Sequence, residues 1–328
     1  MQSAKPVDTQ NLQIFVTTAE ERNMSNAARK LGLTQSAVSQ SIRQLEDQFG
    51  VVLFNRERRP LMLTPAGLAL RTRAATLLND LGHLGAMVIG ASRGVKPDLR
   101  IGLVDSFAAT VGPQFIEQLL AQSSTLSVKT GLSPFHGEAL IARDLDLIVT
   151  SEPLIDFDNI TRYRLLSEKF IVITPRARGL VARNIPELKR LSDTLPMVRF
   201  NRQSHLGSQI ERFLRRIDVR VPFKLETDRA DTVTSIVAAG VGWAITTPLC
   251  LLQGAEYSKK VKAHLLSDSQ SDRSLYLLGR RDEYDQLIRH CVTVTRELLM
   301  STLHQRLNMI DTNLQRLVDI EADAHAAE

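Results

Sequence analysis

Gln35, Ser36, Ser39 and Gln40 crowd amide and hydroxyl heads into one short segment, with Ser41 and Arg43 beside them. Such side chains match the donors and acceptors that base edges present in a major groove, and a serine or arginine at the rim reaches phosphate. Arg56, Arg58 and Arg59 follow next to Pro60, a basic cluster suited to a duplex backbone. Any one of these residues alone would fit a solvated helix face. Their grouping, with the arginines just behind it, points to nucleic acid.

That face needs a helix to carry it. Thr34 is a good N-cap, Val38, Ile42, Leu45 and Phe49 recur at spacings of four, three and four as a buried stripe, and Gly50 ends the pattern. A shorter helix precedes it, with Ser25 as N-cap, Ala27, Ala28 and Leu31 on one face and Gly32 as the stop. Residues 8–20 form a third helix whose face of Leu12, Phe15, Val16 and Ala19 braces the other two, giving a three-helix core with a wing. Thr64-Pro65 then reads as an N-cap with proline at the first helical position. From there Leu70, Ala74, Leu77, Leu81, Leu84, Val88 and Ala91 keep a four-three heptad seam along a helix about 42 Å long. The seam predicts dimerisation through this helix, with Gly67 and Ala74 allowing close approach; the alternative is a helix packed on its own domain.

The segment 12–70 resembles the DNA-binding end of the LysR-type transcriptional regulators. The resemblance rests on Leu12 and Phe15, Ser25 with Ala27-Ala28 and Leu31, and Gln35-Ser36-Ala37-Val38-Ser39. It continues through Ile42, Leu45-Glu46, Gly50, Leu53-Phe54-Asn55-Arg56 and Leu63-Thr64-Pro65-Ala66-Gly67. It implies a sequence-specific winged helix-turn-helix over residues 1–65, bound to double-stranded operator DNA as a homodimer or homotetramer, with RNA polymerase as a candidate further partner. Residues 66–92 become the linker and dimerisation helix.

Around residues 92–97 the helical pattern breaks and the period changes. Strands are expected at 99–104, 126–132, 144–149, 165–174, 197–200, 223–227, 242–246, 261–265 and 275–279. Helices are expected at 112–122, 137–143, 204–216, 230–239 and 282–299. Strands alternating with helices predict an α/β fold with parallel sheet. The family resemblance implies a two-lobed, type II periplasmic-binding-protein-like effector domain over residues 93–299, one lobe from about 98–162 with 266–299 and the other from about 163–265. Its weaker motifs are Glu138-Ala139-Leu140 before Leu145-Asp146, and Val237-Ala238-Ala239-Gly240-Val241-Gly242 before Pro248. Two departures stand out. Residues 123–126 lack the proline usual before the second strand, and the chain runs on past Leu299, where the family commonly ends.

Ligands of open α/β sheets sit beyond the carboxyl ends of strands, where helix N-termini favour anions. The residues in such places are Ser106, Ser133, Thr150 and Ser151 in one lobe and Asn201, Arg202, Ser204 and Thr246 in the other. By resemblance, Ser106, Ser133, Thr150 and Arg202 line the effector pocket; helix capping is the plainer alternative for each hydroxyl. An inward-pointing Arg202 would suit a small carboxylate. In residues 300–328, an amphipathic helical extension, Leu303, Leu307, Ile310, Leu314 and Leu317 keep a four-three spacing that fits docking on the chain's own effector domain or a contact between subunits.

Composition sets the bounds. The 328 residues carry 41 Lys/Arg against 36 Asp/Glu, and the resulting +5 is too small to prove a nucleic-acid partner by itself. Two cysteines exclude a disulfide scaffold. The N-terminus has no apolar export signal, and the apolar window at 233–252 is broken by glycine, threonine and proline, so no membrane span and a cytoplasmic location are expected. No G-x-S-x-G, phosphate-loop or G-x-G-x-x-G pattern occurs and the seven histidines lack metal-ligand spacing, so neither enzyme, metal nor cofactor is expected. His205 beside Ser204 is no catalytic pair by spacing, because helical neighbours point about 100° apart. A metabolite-binding protein or enzyme with a dimerising N-terminus, and an architectural DNA binder, remain the other readings.

Overall fold

In the computed structural model, which describes residues 7–56, 60–93, 96–266 and 272–321, the chain divides into two compact units, Met1–Val95 and Lys96–Glu328. The first is built on α1 (Thr9–Glu21), α2 (Met24–Leu31), α3 (Gln35–Phe49), the two-residue strands β1 (Phe54–Asn55) and β2 (Met62–Leu63), and the long α4 (Pro65–Arg93). Leu12, Phe15, Val38, Ile42, Leu45, Leu53 and Phe54 close one apolar core, with the Phe15 and Phe54 rings 5.3 Å apart. Asp8 and Thr34 cap α1 and α3 through their side chains, and Gly32 and Gly50 end α2 and α3 at positive φ.

Local chemistry differs from expectation in three places. The N-cap of α2 is Asn23, whose Oδ1 accepts from the amides of Ser25 and Asn26; Ser25 already lies inside the helix. Phe49 is 43% exposed, because α3 outruns the core at its last turn. The expected seam on α4 is split. Ala74 is buried in the unit's own core, and Leu70 and Leu78 pack against that core. Leu77, Leu81 and Leu84 stand 53%, 47% and 55% exposed. Leu70 and Ala74 therefore belong to the winged unit, which needs the first turns of α4 to cover α1. The side chain of Val88 lies outside the described residues. Gly67 is small for a local reason: a Cβ there would overlap the Leu53 carbonyl oxygen.

The second unit opens with β3 (Asp98–Val104), α5 (Asp105–Thr110), α6 (Gly112–Leu120), β4 (Thr125–Gly131), α7 (Ser133–Ile141), β5 (Leu147–Thr150) and β6 (Ile160–Lys169). It then crosses to β7 (Ile171–Pro175), α8 (Ile185–Thr194), β8 (Val198–Phe200), α9 (His205–Arg216), β9 (Leu225–Thr227), α10 (Ala230–Ala238), β10 (Ala244–Thr246), α11 (Pro248–Gln253) and β11 (Val261–Leu265). It returns through β12 (Asp272–Arg280), α12 (Asp285–Leu298), α13 (His304–Asn308) and β13 (Val318–Ile320). The first lobe is a six-stranded sheet in the order β13-β6-β12-β5-β3-β4; the second holds the sheet β10-β7-β11 and the pair β8-β9.

Among the described residues, parallel pairing joins β3 with β4 and β5, β8 with β9, and Met197 with Trp243 in an isolated bridge. The remaining strand pairs of this unit run antiparallel, so the sheets are mixed where simple alternation suggested parallel. Alternation reveals which elements exist, but crossing between lobes sets strand direction. The first crossing falls at Phe170, not near residue 163, since β6 belongs to the first lobe along its whole length. The second helix starts at Ser133 with proline in its first turn, four residues before the expected start, and α5 and α8 were not foreseen.

The C-terminal segment is only partly helical. α12 runs through a wide π-type turn at Leu299–Leu303 into α13, after which a 3-10 turn at Leu314–Leu317 leads to β13 on the outer edge of β6. Leu303, Leu307, Leu314 and Leu317 are buried in the unit's own core. Among the described residues no helix is long and apolar enough to cross a membrane.

Candidate functional site

In the first unit, Val38, Ile42 and Leu45 anchor α3 by one stripe and thereby fix which side chains face outward. Gln35, Ser36, Gln40 and Arg43 are exposed on that outer side, and Ser39 and Ser41 are half-buried. Gln35 Oε1 accepts from Ser25 Oγ at 3.1 Å, which orients its amide, and Ser36 Oγ shares a hydrogen bond with Thr34 Oγ1 at 2.9 Å. Arg56 is held from below. Its Nη2 donates to Glu46 Oε2 at 2.6 Å while Glu46 Oε1 accepts the Leu53 amide at 2.9 Å. One carboxylate thus pins the base of the wing to α3. An open groove between α2 and the wing, lined by Arg22, Ser25, Asn26, Gln35 and Arg56, brings in Arg22 and Asn26, which the sequence did not single out, and Ser25, which it offered only as a cap. Arg58 and Arg59 lie outside the described residues.

In the second unit the strand ends converge on a narrow cleft between the lobes, with a cavity of about 50 Å³. Of the expected residues, Ser106, Ser133, Ser151 and Ser204 line it. The other four do not. Thr150 Oγ1 accepts from the Glu152 amide, and Thr246 is buried away from the cleft. Asn201 donates through Nδ2 to Asp228 at 2.6 Å. Arg202 points outward, with its side chain 56% exposed, an ion pair to Glu226 at 3.4 Å and its guanidinium 4.5 Å from the centre of the Phe223 ring. The stacking surface and carboxylate lie on the outer side, which explains the reversal.

The cation of the cleft is instead Arg273, supplied by β12 from the far end of the chain. Both of its terminal nitrogens lie 3.2 Å from Ser106 Oγ, and Nη1 also meets Glu168 at 3.1 Å and Cys250 Sγ at 3.4 Å. Its Nε is buried without a partner. Glu168 Oε2 accepts the amide of Leu249, so this carboxylate ties β6 to the start of α11. Burial raises the pKa of Glu168, against the pull of Arg273 and the Leu249 amide. On the opposite wall, Ser133 Oγ, Ser151 Oγ and His205 Nδ1 form a chain with links of 3.0 and 3.1 Å. Burial, then the charges of Arg273 and Arg212, lower the His205 pKa to about 4, so the ring is neutral at pH 7 and too weak a base to activate a serine there. Ser204 is occupied as the cap of α9, accepting from Gly207 and donating to the Asn201 carbonyl. Burial likewise raises the pKa of Cys250 and keeps it a thiol.

Arg273, Glu168 and Cys250 were missed because strand-end reasoning looks only at residues just after a strand. Arg273 begins a strand, and the signal that could have found it is an arginine at the buried end of an otherwise apolar run. The cleft offers a guanidinium, three serine hydroxyls, a neutral imidazole and the carboxyls of Asp105 and Asp228 to something small and polar.

Comparison with known proteins gives the same division. A family model of the bacterial regulatory helix-turn-helix protein, lysR family, matches residues 9–68, and one of the LysR substrate binding domain matches residues 92–299. The HTH-type transcriptional regulator GltR of Bacillus subtilis is 26% identical over 279 residues, 84% of this chain and 91% of its own. The structure of full-length CbnR complexed with its target DNA superimposes with a TM-score of 0.62 at 17% identity, covering 89% of this chain and 99% of that one. Full-length LysG from Corynebacterium glutamicum with bound effector Arg gives 0.57 at 19% identity, covering 90% and 99%. At these identities the two structures show a shared fold.

Proposed function

This chain belongs to the LysR family of DNA-binding transcriptional regulators with an effector-binding domain, and we propose that a small carboxylate in its interlobe cleft controls how it engages its operator. The observation that carries the reading is the placement of Arg273, whose buried guanidinium faces a cleft lined also by serine hydroxyls and by Asp105 and Asp228. An arginine with hydroxyl neighbours recognises carboxylates by charge-assisted hydrogen bonds. Gln35, Ser36, Ser39 and Gln40 read base edges, while Ser41, Arg43, Arg56, Arg58 and Arg59 hold the backbone.

Leu77, Leu81, Leu84 and Val88 pair two copies along α4, and pairing of effector domains extends the dimer to a tetramer on two operator regions. The exposed leucines at four-three spacing support that seam. Acting on chromosomal DNA, the protein works in the cytoplasm with RNA polymerase as its downstream partner. The CbnR complex with its target DNA and LysG with its bound effector Arg support the two binding roles by analogy. The ligand must bind one arrangement of the lobes or subunits better than another, since equal affinity shifts nothing.

The test is selection of binding sites from random duplexes by the full chain, repeated with a panel of small carboxylates and amino acids. A partly two-fold-symmetric site whose protection changes with one panel member supports the reading. Equal binding to all sequences would instead mark an architectural DNA binder, and turnover of a panel member an enzyme.

A further inference from the structure

Residues 300–321 lie beyond the segment matched by the effector-domain family model, yet they pack behind α5 and α11, two helices that meet each other on the Arg273 side of the cleft. On one side, Arg306 Nη1 donates to the Thr110 carbonyl at 2.6 Å. Thr110 ends α5, and a helix as short as six residues has free carbonyls in its last turn that need such a partner. Ser106, one turn earlier on the same helix, meets Arg273 in the cleft. On the other side, β13 pairs with β6 so that Val318 stands opposite Glu168, the residue whose carboxylate holds Arg273 and the Leu249 amide of α11. Arg164 of β6 is ion-paired with Glu321 just past β13. α13 and the 3-10 turn after it also pack on α11, which carries Cys250 and Gln253 into the cleft.

We propose that residues 300–321 form a strap across the joint where α5 of the first lobe packs on α11 of the second, so that the seating of the strap and the fit of these two helices beside Arg273 change together. Buried Leu303, Leu307, Leu314 and Leu317 fix the strap to the core; Arg306 and β13 are its two fastenings. By linkage, any ligand that shifts this joint must work against the strap, and loosening the strap must alter the affinity for that ligand by the same factor. This consequence rests on the reading of the cleft as an effector site. The coupling itself can be tested without an effector, so its failure is separable from the failure of that reading.

Amide hydrogen exchange on the full chain tests it. Arg306→Ala removes the fastening at α5 and leaves the buried leucines of the strap in place. The expected result is roughly tenfold faster exchange in both α5 and α11, including the Leu249 amide, with β3 and the winged unit unchanged. A second variant ending at Asn313 removes β13 and should accelerate the same two helices; if that shortened chain does not fold, Arg306→Ala alone decides. Faster exchange confined to α5, or to residues 300–321, would overturn the coupling. Uniform acceleration through residues 96–321 would overturn it as well, making the segment a plain stabiliser.

Discussion

Arg273 and Glu168 meet at 3.1 Å with only 4% and 0% of their side chains exposed, directly opposite each other on the neighbouring strands β12 and β6. Glu168 leaves the first lobe at the crossing strand, Arg273 enters it on the returning one, and the Leu249 amide completes the carboxylate's shell from the second lobe. The cleft's cation is therefore anchored by the hinge itself.

Removing one partner of that pair leaves a buried charge uncompensated. Arg273→Met is expected to cost about 3–5 kcal/mol of stability, whereas Arg273→Met with Glu168→Leu should recover most of it. Urea unfolding of the three proteins measures this. A single-variant cost below about 1 kcal/mol would mean that the pair is solvated.

Acid sensitivity should come in part from His136, buried under the first lobe's sheet with Nδ1 unpartnered. Burial, then the charge of Lys129, lowers its pKa from 6.5 to about 4. Between those values the unfolded chain holds a proton that the folded chain refuses. Stability is thus full above pH 6.5, falls as the pH drops toward 4, and loses up to about 3 kcal/mol through this group. His136→Leu is expected to flatten the pH dependence of unfolding between pH 4 and 6.5, with His205 and His264, whose pKa values burial also lowers, still contributing. An unchanged slope would show that His136 protonates in place.

The two kinds of DNA contact should separate by sequence. Gln40→Ala is expected to lose about 1–3 kcal/mol on the selected site and nothing on random duplex. Arg56→Ala should weaken both and lower the salt slope by about one. Because Glu46 pins Arg56, Glu46→Ala should follow Arg56→Ala in direction. Anisotropy titrations at several salt concentrations distinguish these, and equal losses on both duplexes for Gln40→Ala would deny it a base contact.

On α4, Leu81→Lys is expected to halve the mass in solution without lowering the melting temperature of the winged unit. Ala74→Leu should do the reverse, overpacking a filled core at about 1–3 kcal/mol. Sedimentation and thermal unfolding of both variants check the split of the seam; a full-mass Leu81→Lys protein would place the interface elsewhere.

The winged unit was nearly all legible because its signals are local: a threonine cap, two glycine stops and an apolar stripe at helical spacing all lie within residues 25–50. Heptad counting on α4 overreached at Leu70 and Ala74, since a four-three stripe does not say whether the facing helix belongs to the same chain or another. The cleft was half legible. Serines at strand ends could be placed by topology alone, but Arg202 and Arg273 are told apart only by what stands next to them: Phe223 and Glu226 outside, Ser106 and Glu168 inside. Those neighbours come from distant parts of the sequence. The tail shows the same limit, because Leu314 and Leu317 continue a helical spacing yet reach the core from a 3-10 turn.

The most direct test is the affinity of the full chain for its selected operator, measured with and without each member of a small-carboxylate panel, in wild type and in Ser106→Ala. The expected result is that one panel member changes wild-type affinity or protection by fivefold or more, about 1 kcal/mol of coupling, and that Ser106→Ala binds the same operator but loses that response. A response of equal size in Ser106→Ala would contradict control through this cleft, and so would a wild-type protein indifferent to the whole panel.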